Sequence, residues 1–114
     1  MTTRHLRTPI MHRAVEHGGL VFIGGTTCDD ESLDMAGQTR EALAKIDKYL
    51  AEAGTDKTKL LSATIFVTKL ALKPEMDTVW KAWLEPDHLP ARATVGVADL
   101  GGDALIEIVV TAHR

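Results

Sequence analysis

The chain has 114 residues, 45% hydrophobic and 25% charged, with a formal net charge of −3 and a pI near 5.9. Those proportions fit a single soluble globular domain spanning residues 1–114, and the acidic balance argues against a nucleic-acid partner, whose phosphates call for a basic surface. The lone cysteine, Cys28, excludes an internal disulfide, no apolar run approaches a membrane span, and MTTRHLRTPIMHR carries no apolar leader core, so a cytoplasmic protein is expected.

The first thirteen residues are locally basic (Arg4, His5, Arg7, His12, Arg13) with no aromatic residues between them, which reads as a solvated strand. AVEHGGLVFIGGTT reads as strand, tight turn and strand, because Gly18-Gly19 supplies the positive φ angles of a hairpin. Leu20 to Ile23 is a continuous apolar run, the pattern of a strand buried on both faces. Gly24-Gly25 ends it with backbone that another group can approach closely. SLDMAGQTREALAKIDKYLAEAG is an amphipathic helix with Leu43, Ile46, Leu50 and Ala53 on one stripe, Ser32 or Asp34 as its cap and Gly54 at its end. LLSATIFVTKL is a strand rich in β-branched residues. KPEMDTVWKAWLEPDHLP is a second helix, with Pro74 in its first turn, an apolar stripe of Met76, Val79, Trp80, Trp83 and Leu84, and Pro86 and Pro90 closing it. ARATVGV and ALIEIVVTA are the final strands, joined across ADLGGD.

This order predicts a two-layer α+β domain, a mixed six-stranded sheet with both helices packed on one face. The other face then needs cover, and a second copy of the chain is the simplest cover.

In LPARATVGV, Ala91, Ala93, Val95 and Val97 alternate with Arg92, Thr94 and Gly96, so a guanidinium sits among residues too small to screen it. In ALIEIVVTA, Ile106, Ile108 and Val110 share one face, and Glu107 lies with Leu105 and Val109 on the other. A hairpin centred on the Leu100–Gly101 bond would set Thr94 opposite Glu107 and Arg92 opposite Val109, making Arg92 and Glu107 diagonal neighbours. Two readings fit this pattern. One is a cross-strand salt bridge on a wet face, worth little. The other is a carboxylate-recognition site, in which the arginine fork binds an acid and the glutamate holds a water. Spacing alone does not choose between them.

Taken together, HGGLVFIGG, GQTREALAKIDKYLAEAGTDKTKLLSATIFVTKL, MDTVWKAWL and PARATVGVADL with IEIVVTA resemble the RidA/YjgF family of reactive-intermediate deaminases, in particular its short, YoaB-like branch. The likeness runs from about Arg13 to Ala112, and its most specific pieces are the PAR strand and the IEI strand. The resemblance implies a chorismate-mutase-like fold, a homotrimer with a cleft at each subunit interface, and no metal or cofactor. It implies hydrolysis of enamine or imine intermediates, of the 2-aminoacrylate and 2-imino acid type, to 2-keto acids and ammonia. Arg92 would grip the substrate carboxylate and Glu107 would position water.

The pattern also differs from archetypal members. Met11 falls where they carry a cleft tyrosine, Gly24 replaces the serine of an SGQ turn, Thr94 replaces a cysteine and Asp77 an asparagine. Gly25 and Thr26 still offer backbone amides or a hydroxyl, and Trp80 lies near the cleft or in the core. The substrate is then a small carboxylate-bearing imine or enamine. Alternatives are a pathway-specific deaminase of an aminomuconate-like dienamine and a non-catalytic regulator that binds small carboxylates. A ribonuclease fits the acidic chain poorly.

Cys28 has no histidine arranged beside it and reads as a packing residue. The histidines His5, His12, His17, His88 and His113 show no metal-ligand spacing, so no metal is expected.

Overall fold

A two-residue turn organises the N-terminal half of the sheet. In the computed structural model, which describes residues 1–114, Gly18 and Gly19 take φ of 58° and 80°, which a side chain would resist. They join β2 (His12–His17) to β3 (Leu20–Thr26), and β1 (Thr2–Arg7) pairs antiparallel along the outer edge of β2. Within β1, Leu6 is held at φ 55°, a strained conformation for leucine. Next comes α1 (Met35–Glu52), capped by Asp34, whose carboxylate accepts the Gly37 N–H at 2.8 Å. Gly54 follows at φ 80° and turns the chain out of that helix. β4 (Leu60–Val67), α2 (Lys73–Trp83), β5 (Ala91–Gly96) and β6 (Ile106–His113) complete the chain.

The strand order is β1-β2-β3-β6-β4-β5, with only the β4–β5 pair parallel. β3, α1 and β4 thus form a split βαβ unit with β6 in the gap, and α2 carries the chain from β4 to its parallel neighbour β5. Ala14, Val21, Ile23, Ala63, Ile65, Val67, Ile106, Ile108 and Val110 project toward the helices, where Leu43, Ile46, Leu50, Met76 and Val79 bury them. Alternation sends their neighbours to the opposite side, and no element covers that side.

Two expectations are corrected. Leu20–Ile23 is buried on one face only: Val21 and Ile23 are in the core, whereas Leu20 and Phe22 stand 37% and 44% exposed on the open face. A short apolar run looks the same whether the second face meets a helix or waits for another molecule. The β5–β6 hairpin does not form either. β5 pairs only with β4, placing Arg92 opposite Ala63 and Thr94 opposite Ile65, while Glu107 on β6 pairs with Phe66 from the other side of β4. Gly101 and Gly102, at φ 76° and 54°, bend a loop that carries the chain past the end of β4.

Gln38 of α1 holds that crossover. Its buried amide oxygen accepts the Leu105 N–H at 2.8 Å, and its NH2 donates to the carbonyls of Leu33 at 3.0 Å and Glu31 at 3.2 Å. The Glu31 carboxylate accepts the Asp103 N–H at 2.8 Å. At the opposite edge, Glu16 bonds both His5 and Arg114, tying β1, β2 and the C-terminal residue together. The His5 hydrogen bond, opposed by partial burial and assisted by Arg114, holds the Glu16 carboxyl below its ordinary 4.5.

Truncating Gln38 to Ala leaves the half-buried Leu105 N–H without its partner, and urea unfolding is expected to show a loss of about 1–2 kcal/mol. A glutamate whose folded-state pKa is depressed stabilises above its ordinary value and loses that contribution as pH falls through the folded value. Thermal melts of Glu16→Gln should therefore lie below wild type at neutral pH, and the gap should close as pH falls below 4.5.

Candidate functional site

Strand alternation places Arg92 and Thr94 on the helix side of β5, beside α2. The Arg92 guanidinium lies over the Trp80 ring, with its central carbon 5.4 Å from the ring centroid. Trp80 is itself buried, and it packs at 5.6 Å, tilted 50°, against Trp83. Trp83 is turned outward and donates its indole N–H to Asp47 at 3.0 Å. Of the two tryptophans, Trp80 therefore forms the floor beneath the arginine.

Asp77, one turn before Trp80, completes this group. Its Oδ1 is 2.8 Å from Arg92 Nη2 and its Oδ2 accepts from Lys73 Nζ at 2.7 Å. Burial raises the Asp77 carboxyl, but Lys73 and Arg92 together outweigh it and hold the group below its ordinary 3.8. The Lys73 contact is an aligned hydrogen bond. The Arg92 contact is an ion pair whose N–H does not point at Oδ1, so that buried oxygen has no hydrogen-bond partner. The buried Thr94 hydroxyl is likewise unpartnered. Asp77, Trp80, Lys81, Leu89, Pro90 and Arg92 line a pocket of about 310 Å³.

Glu107 belongs to a second group, on the open face. A bulge interrupts the β3–β6 ladder between Ile23 and Thr26, and the Gly24–Gly25 segment lies within it. Gly25 leaves the space that the Glu107 carboxylate occupies, and a methyl group there would collide with it. Met11 packs beside Gly24, its sulfur 3.2 Å from where a Cβ would stand. No ion pair within the chain engages Glu107.

The site residues expected from the sequence therefore fall into two sets on opposite sides of the sheet. Arg92, Thr94, Asp77 and Trp80 form one, and Glu107, Gly25, Gly24 and Met11 the other. The expected diagonal contact between Arg92 and Glu107 is absent, because β4 separates the two strands. Thr26 joins neither set: it is fully buried, paired with Ile108, and its hydroxyl donates to the Gly24 carbonyl at 2.9 Å. The bulge reverses the alternation expected from Ile23 onward, which turns Thr26 into the core.

The pairing of Arg92 with Asp77, and the contributions of Lys81, Leu89 and Pro90, escaped sequence reasoning. Lys73 and Asp77 stand four apart on α2, a readable pair, but nothing in the sequence shows which strand passes beside them. Cys28 behaves as a packing residue. It is 5% exposed, and burial, reinforced by Glu41 and Glu31, pushes its thiol above 9.0, away from the thiolate a nucleophile needs.

The profile of the family described as endoribonuclease L-PSP matches residues 6–114. A RutC family protein of Haemophilus ducreyi is 36% identical over 96 residues, covering 84% of this chain and 82% of the relative. The RutC family protein YoaB of Escherichia coli is 31% identical over 98 residues, covering 86% and 85%. Among solved structures, a member of the YjgF protein family from Neisseria meningitidis superposes with a TM-score of 0.95 at 34% identity, covering 100% of this chain and 95% of that one. Six strands in this order, two helices on one face and these matches along nearly the whole length lead to one conclusion: the chain belongs to the YjgF/RidA family.

Proposed function

We propose that this chain is a cofactor-independent deaminase that hydrolyses enamine and imine intermediates of small 2-amino acids, of the 2-aminoacrylate and 2-imino acid type, to 2-keto acids and ammonia. In this reading residues 1–114 form one catalytic domain that works as a homotrimer. The observation that carries it is Arg92 itself: a guanidinium seated on a buried indole at the wall of a pocket. A planar fork held in this way presents parallel N–H groups to a carboxylate.

The chemistry asks little more of the protein. An enamine that gains a proton on carbon becomes an iminium, whose carbon is already electrophilic. Water adds there as its proton passes to a base, giving a carbinolamine. The carbinolamine nitrogen then takes up the proton held by the base, the C–N bond breaks, ammonia leaves, and the C=O bond forms as the hydroxyl proton is lost to the base. Arg92 would fix the acid end and Glu107 would hold the water and take its proton.

Within one chain these two groups are on opposite faces and cannot reach one small molecule. The open face supports a solution, since Leu20, Phe22 and Val95 leave apolar area there that a second copy would cover. Each site would then take Arg92 from one protomer and Glu107 from its neighbour.

A second reading has its own support. Asp77 already neutralises part of the Arg92 charge, and Thr26 offers no hydroxyl to a ligand. A protein that binds a small carboxylate without turning it over fits those features, and binding without keto-acid formation would favour it.

Arg92→Ala is expected to cost roughly 100-fold in kcat/KM on freshly generated imino acid, from the loss of about 2–3 kcal/mol of charge-assisted bonding. Unchanged activity would sink the proposal. Gly25→Ala should lower kcat by displacing Glu107 while leaving the oligomer intact by light scattering. Arg92→Ala and Glu107→Gln chains, each inactive alone, should regain roughly a quarter of wild-type activity when co-assembled, because random mixing leaves that share of shared sites whole. Additive, still-inactive mixtures would place both residues in one protomer's site.

A further inference from the structure

The Arg92 pocket already contains a carboxylate. Asp77 lies on the same wall, and its two oxygens are bonded unequally. Oδ2 is held by an aligned bond from Lys73, four residues earlier on the same helix. Oδ1 faces Arg92 at 2.8 Å without an N–H directed at it. The guanidinium also rests on the Trp80 ring, a contact made through its face, whereas Asp77 meets it at an edge nitrogen. Lys73 would therefore retain Asp77, and Trp80 would retain Arg92, if the contact between Asp77 and Arg92 were broken.

We propose that Asp77 is a specificity-determining residue that competes, as a carboxylate built into the chain, with the ligand carboxylate for Arg92. The proposal rests on the reading of Arg92 as the substrate's acid anchor and assigns that anchor a resident rival. An incoming acid must displace Asp77 from the guanidinium or bind beside its negative charge, and either route weakens binding. The imine substrate and the keto-acid product carry the same carboxylate, so the competition loosens both. It raises KM and speeds product departure without touching the carbon that reacts. Binding that is weakened equally in the ground and transition states appears in KM and leaves kcat unchanged.

The test is calorimetric titration of 2-ketobutyrate into the intact wild-type oligomer and three variants, paired with steady-state kinetics on the corresponding imino acid. Asp77→Asn is expected to bind about tenfold more tightly than wild type, with KM lowered by a similar factor and kcat nearly unchanged. Lys73→Met should shift binding the other way, because an Asp77 without Lys73 settles more firmly on Arg92. Arg92→Ala should not bind. Opposite shifts for Asp77→Asn and Lys73→Met separate competition from a supporting role, in which both variants would bind more weakly. If Asp77→Asn does not fold, Asp77→Ser takes its place under the same criterion: binding no tighter than wild type overturns the proposal. Weaker or unchanged binding by Asp77→Asn, with Arg92→Ala still inert, overturns the competition alone. Equal binding by Arg92→Ala and wild type, or no binding by either wild type or Asp77→Asn, removes the anchor and the competitor together.

Discussion

The hydrogen bonds that β6 makes to β3 on one edge and to β4 on the other set the plan of the molecule. With both edges used, β6 is an interior strand of the sheet, and β5 pairs with the far edge of β4. That displacement fixes the height and side of Arg92, brings it against α2, and separates it from Glu107 by a full strand. Gln38 and Glu31 serve the same plan, because the crossing loop must have its N–H groups satisfied as it leaves β5 and enters β6.

Local signals were readable in the sequence wherever the structure is local. The Gly18-Gly19 turn, a polar cap at Ser32 or Asp34 (the structure uses Asp34), the Gly54 stop and the shared face of Ile106, Ile108 and Val110 each follow from periodicity, capping chemistry or backbone freedom at one position. What was hidden is non-local. ADLGGD has the composition of a hairpin turn and serves as a crossover, since two glycines specify a bend and not the strand that receives it. The bulge at Gly24-Gly25 shifted the face of every residue after it, removing Thr26 from the site and leaving Glu107 room to lie flat. Of the candidate site, the residue types were legible, but their division between two faces required the strand order.

The electrostatics around Arg92 follow from α2 packing beside β5. Asp77 remains charged despite burial because two cations flank it, and Trp80 supports the guanidinium from a side where no hydrogen bond is spent. A lone arginine in a half-buried pocket would be free for a solute acid but poorly fixed. Here Trp80 lies against the face of the guanidinium and Asp77 against its edge.

The outer strand β1 shows how a sheet with an uncovered face avoids growing without limit. Its free edge carries Arg4 and Arg7 together with Leu6 at φ 55°. Like charges brought edge to edge repel, and one residue twisted out of the extended conformation breaks the regular row of donors and acceptors that an added strand would need. At the far edge Pro90, just before β5, lacks an N–H to offer. Contact through the open face is left available while strand-by-strand extension from β1 is discouraged, so two modes of self-contact are set apart by a handful of residues at the margin.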